Sequence, residues 1–393
     1  MKRLAENPFA SRRRSKSEAG EATASSHPLA KESLPRWRFA WRRGFPHNLL
    51  NMNLKSPRLI LRAQVKKRSS ALWRLLLPFA VACGIATSVQ AADKLRIAIL
   101  KTGTLSWEIG VMKARGLDAS AALDLEVTEL ASPEAGKIAL QGGAADIIVS
   151  DWLWVARERS LGDKLLFAPY STAHGAVMTA KDSPIQSIGD LAGHTLGVAG
   201  GPIDKNWLLL EAAARQKGLD LNAKAHLQFG APPLVAEKLA QGEFDAALEF
   251  WNFCADLEGR GFRRVIEIGD IEKQLGASGP VAMTGYVFSQ EFAASHGPAL
   301  ARYFAAAAQA REILANDASA WAPIKAQLHL KDEASLEIYR QRYSDGAKRR
   351  PVAEEAKDAS ALFHALAQVG GKELVGDISE LDVGLFYDEK AGQ

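Results

Sequence analysis

The sequence predicts an α/β protein of two similar lobes, and three observations carry that prediction. Strand-like and helix-like segments alternate from residue 94 onward, the pattern of βαβ units and mostly parallel sheets. One set of residues recurs at a spacing of 99, namely Leu140 and Leu239, Gly143 and Gly242, Asp146 and Asp245, and Trp152 and Trp251, with Trp107 and Trp207 100 apart, as expected of two units of one design. Once the first 91 residues are set aside, about 300 remain, enough for two cores.

Charge separates those 91 residues from the rest. Residues 1–91 carry 18 Lys+Arg against 4 Asp+Glu, a balance of +14, whereas 92–393 carry 31 against 41, a balance of −10. The overall +4 therefore does not point to nucleic acid, because the basic residues sit in a segment expected to be processed. Lys66, Lys67 and Arg68 precede an apolar run over residues 71–83 that gives way to Val89-Gln90-Ala91. A basic lead, a short apolar core and a small-residue end read as an export signal cleaved after Ala91, and the run falls short of the roughly 20 residues a membrane span needs. Met52 opens a signal of ordinary size and is an alternative start. Cys83 lies inside the signal, which leaves Cys254 as the one cysteine of the exported chain and excludes an intramolecular disulfide. A lipid anchor on Cys83 is the lesser alternative, since Ala80 stands where a lipoprotein site prefers Leu.

In the first lobe, residues 92–180, the pattern gives a strand over 94–100, a helix near 107–113, a strand over 123–130, a helix over 133–141 and an apolar strand over 146–150. The second lobe, residues 181–282, opens with a capped turn at 188–193 and repeats the order: strand 195–199, helix 203–217, strand 226–229, helix 233–241 and strand 245–250. Two segments, 175–180 and 283–289, are expected to cross between lobes as a two-strand hinge. Residues 283–393 return to the first lobe, and helices near 290–315, 332–345 and 353–370 are expected to pack on it, with Trp321 in the core.

The chain contains no G-x-S-x-G, H-E-x-x-H, Walker A or paired-cysteine metal spacing, so no enzyme, metal site or cofactor is expected. The aromatic pattern is more informative. Trp107, Trp152, Trp154, Trp207 and Trp251 cluster at or just beyond the ends of expected strands, where open α/β sheets bind ligands; Trp107, Trp152 and Trp251 are the candidates to touch a ligand. Glu108, Asp151, Glu249 and Asp204 accompany them. Tryptophan faces beside carboxylates suit an amine or a hydrogen-bonding heterocycle, whereas a hydrophilic anion would want Arg or Lys, and only Lys205 is well placed. Gly200-Gly201-Pro202 stands between a strand and a helix, where backbone N–H groups bind anions or carbonyl oxygens. His174, near a strand end, is a further candidate contact.

The residues resemble a known family. Lys101-Thr102-Gly103-Thr104-Leu105, the segment 139–147, the crossover Asp182-Ser183-Pro184 through Gly193, and the segment 239–247 are together similar to the type II periplasmic solute-binding proteins of ABC importers, in the nitrate/sulfonate/taurine and NMT1/THI5-like group. The resemblance covers residues 94–320 and implies a two-lobed periplasmic-binding-protein type II fold. It also implies ligand contacts from Gly103, Thr104 and Trp107, from Ser150, Asp151 and Trp152, and from Gly200, Gly201 and Asp204. Sulfonate binders favour Ser or Thr at the last loop, and this chain has Gly-Gly-Pro-Ile-Asp. The pyrimidine-synthase members carry a cysteine-rich motif and a catalytic histidine that are not found here.

The expected protein is thus a monomeric periplasmic solute-binding component that closes on a small organic solute, an aromatic heterocycle or amine, and presents it to an inner-membrane ABC permease. A nitrate- or sulfonate-type anion is the alternative ligand. Two other classes are weighed against it: a synthase or lyase using His174 with Asp151, and an interaction module, which would display a large apolar surface patch.

Overall fold

The computed structural model describes residues 91–388 except Lys331; the segment expected to be an export signal, with Met52 and Cys83, lies outside the described residues. Strands β1 (Asp93–Leu100), β2 (Leu123–Leu130), β3 (Ile147–Asp151) and β4 (Leu165–Ser171) alternate with helices α1 (Leu105–Ala114), α2 (Pro133–Gln141) and α3 (Trp152–Ser160). The chain then passes to β5 (Ala176–Thr179), β6 (Thr195–Ala199), α4 (Lys205–Gln216), β7 (His226–Gly230), α5 (Pro232–Ala240), β8 (Ala246–Glu249), α6 (Trp251–Gly259), β9 (Arg263–Glu267) and α7 (Ile268–Gln274). It returns through β10 (Thr284–Ser289) to α8 (Gln290–Asn316), α9 (Glu333–Ala347) and α10 (Val352–Val375).

Two five-stranded sheets result, ordered β2-β1-β3-β10-β4 and β7-β6-β8-β5-β9. Each is mixed. β1 pairs in parallel with β2 and β3, and β6 with β7 and β8, because a helix returns the chain to the same edge each time. β10 and β5 pair antiparallel on both sides, because each enters from the other lobe and runs against its neighbours. The crossings themselves are residues 172–175 and 275–283, just before the strands the sequence marked as hinge.

The 99-residue repeat is structural. Asp146 Oδ2 accepts from the Arg96 backbone N–H at 2.9 Å, and Asp245 Oδ2 from that of Thr195 at 2.8 Å, so the same carboxylate ties the first strand of each repeat. Gly143 (φ 69°) and Gly242 (φ 75°) both end a helix in the left-handed region that favours glycine.

Central strands are buried on both faces. Leu95, Ile97 and Ile99 point into a core with α1, α8 and α9, while Ala98 and Ile148 point into a second core shared by α3, α4 and α10. A third core lies between α5, α6 and the second sheet around Met178, Val235 and Leu239. Trp321 is fully buried and donates from Nε1 to the Leu314 carbonyl at 2.7 Å. The C-terminal helices reach further than the first lobe alone: α9 packs on both α8 and α6, and α10 on both α3 and α4. Among the described residues, no helix is long and apolar enough to cross a membrane.

Candidate ligand cleft between the lobes

Parallel βαβ units place the C-terminal strand ends and the helix N-termini on one edge of each sheet. Those two edges face one another across a cavity of about 250 Å³. The first lobe contributes Gly103, Thr104 and Leu105, then Ser150 and Asp151, then Tyr170 and Ser171. Asp204, Lys205 and Asn206 come from the second lobe, with Phe250, Trp251, Asn252 and Phe253. The crossings supply His174, Gly175 and Met283, and β10 supplies Thr284.

Asp151 and Lys205 meet across this space, Nζ to Oδ2, at 3.0 Å. Asp151 also caps α3, accepting from the Trp154 N–H at 2.8 Å. Burial alone would raise its pKa, but Lys205, Lys137 and the Trp154 N–H outweigh burial and hold it below the usual carboxylate value. Lys205 is raised despite burial, by Asp151 and Asp204. Asp204 caps α4 through the N–H groups of Asn206 and Trp207, and burial raises its pKa. Ser150 Oγ is buried at the cleft with no hydrogen-bond partner among the described residues.

His174 turns toward the hinge. Its Nε2 lies 3.2 Å from Glu272 Oε1, and Glu272 Oε2 accepts from the Val281 N–H on the other crossing at 3.2 Å. Burial lowers the imidazole pKa, but Glu272, a hydrogen bond at Val281 and Glu355 outweigh it and leave it raised. His174 and Asp151 each have a partner other than the other, so the dyad considered from sequence is not assembled.

Several sequence candidates lie away from the cleft wall. Trp152 is 0% exposed, because residues 152–154 are the first turn of α3 rather than an extended run and pack into the core. Trp107 and Glu108 lie behind the wall, since α1 offers the cleft its N-terminus and turns these side chains toward α8 and α9. Glu108 accepts from Tyr343 Oη at 2.6 Å and from Arg311 Nη1 at 3.4 Å, and burial raises its pKa. Gly200 does not offer its N–H to the cleft but donates it to the Gly230 carbonyl at 2.8 Å; its φ of +90° curls the loop, with Gly201, around the Asp204 carboxylate. Glu249 is buried with Oε2 accepting from the Phe250 N–H at 3.2 Å, Oε1 without a hydrogen-bond partner, and a pKa raised well above the ordinary value by burial. Gly103, Thr104, Ser150, Asp151, His174, Asp204 and Trp251 are the candidates that line the cleft.

The residues missed from sequence carry weaker signals. Tyr170 ends β4, a strand the pattern did not assign, and Phe250, Asn252 and Phe253 flank Trp251 in the helix that repeats α3. Among the described residues no group of His, Cys, Asp and Glu is placed to hold a metal ion.

The profile of the NMT1/THI5-like family matches residues 109–318. The chain belongs to that family. Solved structures agree on the fold of this family member. The periplasmic aliphatic sulphonate binding protein SsuA of Escherichia coli superposes with a TM-score of 0.59 at 18% identity, over 75% of this chain and 91% of that one. The alkanesulfonate-binding protein SsuA of Xanthomonas axonopodis pv. citri, bound to MOPS, gives 0.58 at 17% over 75% and 98%. An ABC transporter structure from Parabacteroides distasonis gives 0.57 at 13% over 75% and 99%. No curated protein matches the chain. The architecture is the two-lobed periplasmic-binding-protein type II fold.

Proposed function

We infer that the protein is the periplasmic solute-binding component of an ABC-type importer. It captures a small organic solute between its lobes and presents the closed form to an inner-membrane permease. The observation that carries this reading is the cleft itself: both sheets turn their ligand-binding edges to one cavity, which is walled largely by apolar and aromatic groups with a few convergent polar ones. A flat or apolar body would lie against Trp251 and Phe253, with Ser150, Thr104 and Asn206 orienting its polar groups.

For the head group, Asp151 and Asp204 support an amine or a donor-bearing heterocycle. A specific observation favours the anionic alternative: α6 begins with no side-chain cap, so its first-turn N–H groups and positive helix end lie at the cleft with Lys205.

Native mass spectrometry of the exported chain, residues 92–393, with identification of any released solute, tests the function directly. A thermal-shift series with nitrate, alkanesulfonates, pyrimidines and amines then separates the two head groups. Stabilisation by a solute without turnover is the expected result, and turnover abolished by His174→Ala would overturn it.

A further inference from the structure

Beside the packing of α9 on α6, with its Arg342–Glu258 ion pair, and of α10 on α4, two side-chain contacts join the lobes at the cleft. The first is ionic: Lys205 is the first residue of α4 in the second lobe, Asp151 ends β3 in the first, and the pair is largely enclosed, at 24% and 7% side-chain exposure. The second is aromatic. Trp251 begins α6 in the second lobe, yet its ring belongs to the first lobe's core, with centroids 5.7 Å from Trp107 and 6.3 Å from Tyr343. Both residues also line the ligand cleft.

We propose that Lys205, together with Trp251, is a positioning residue that holds the second lobe on the first before any solute arrives, so that the free protein is already mostly closed. Besides the crossings, α9 and α10 already pack on helices of both lobes, and contacts at the cleft itself set how far the remaining gap can open. A bonded ion pair of low exposure and an edge-to-face aromatic seat are contacts that only the closed arrangement can make, and they bias the equilibrium toward it. Solute recognition then begins from a formed cavity rather than from two open halves. A charged solute must also exchange with the internal pair: a cation competes with Lys205 for Asp151, an anion with Asp151 for Lys205.

The experiment is a spin-label distance measurement on the solute-free protein, with labels at Glu129→Cys on β2 and Gln228→Cys on β7, both exposed. Cys254 is buried with its thiol pKa pushed up to about 12, so it does not label. The expected result is one narrow, short distance population in the parent. A longer, broader one should appear in Lys205→Met and Trp251→Ala, and the short one should return in Lys205→Arg. Asp151→Asn, which keeps the α3 cap and removes the charge, should behave as Lys205→Met does, with circular dichroism and melting temperature confirming that each variant is folded. A parent that is already broad, or a Lys205→Met variant identical to it, overturns the proposal. A parent that is open yet binds its solute overturns this inference alone, whereas a closed protein that binds none of the tested solutes counts against the function and leaves the closure intact.

Discussion

The two lobes start from one design and diverge at two consecutive positions and in where the tryptophan that follows them lies. At the C-terminal end of the third strand in each repeat, the first lobe has Ser150, Asp151 and Trp152 where the second has Glu249, Phe250 and Trp251. Asp151 caps its helix, while Phe250 leaves α6 without a side-chain cap. Trp152 disappears into the core, while Trp251 faces the cleft and reaches across it. The repeat fixes where a helix must begin at the cleft, and the divergence makes the site asymmetric: one wall presents a carboxylate, the other an aromatic ring and open backbone donors.

The largest test of this contrast is the tryptophan pair. Trp152→Ala should cost about 3–5 kcal/mol of stability, since it empties a fully buried site. Trp251→Ala should cost less in chemical denaturation and instead weaken solute binding by about 1–3 kcal/mol in calorimetry; equal stability losses would erase the distinction. The crossing comes next. A methyl added at Gly175 would stand 1.7 Å from the Glu249 carbonyl oxygen, so Gly175→Ala should destabilise by about 1–3 kcal/mol and push the lobes apart in small-angle scattering.

Smaller effects separate the carboxylates by the sign of their pH dependence. The Asp151 pKa is depressed, so its contribution is present above the unfolded value of about 4 and is lost as pH falls through the lower folded value. Asp151→Asn should therefore remove part of the acid unfolding limb. Glu249 is raised, so the folded state binds its proton more tightly. Stability then falls as pH rises from the unfolded value of about 4.3 through the folded one. Glu249→Gln should flatten that slope in melting curves taken across pH, by the smallest amount of the five, and a steeper slope would mean that the buried acid is paired.

Much of the frame was legible in sequence. Strands at 123–130 and 195–199 and the helix at 133–141 coincide with β2, β6 and α2, because alternation and proline at a helix start are local signals. Asp146 and Asp245 were visible as a repeat, though not as ties to the neighbouring strand. The site was less legible. The run 151–154 reads as alternating apolar residues unless Asp151 is taken as a helix cap, and the same confusion hid α6. Trp107 and Glu108 could not be sorted from Thr104 by spacing, since which turn of α1 faces the cavity depends on where α8 and α9 lie.

The sequence by itself determined the two-lobed α/β plan, its repeat and the helix start at Pro133, because period, caps and prolines act over a few residues. Only the tertiary structure decided that Lys205 answers Asp151, that Glu272 holds both crossings, and that Trp251 rather than Trp152 faces the cavity. Those outcomes depend on contacts such as Lys205–Asp151, Glu272–His174 and Trp251–Trp107, between residues 54, 98 and 144 positions apart, and the energy of burying a charge or a ring is set by what the opposite lobe brings to meet it.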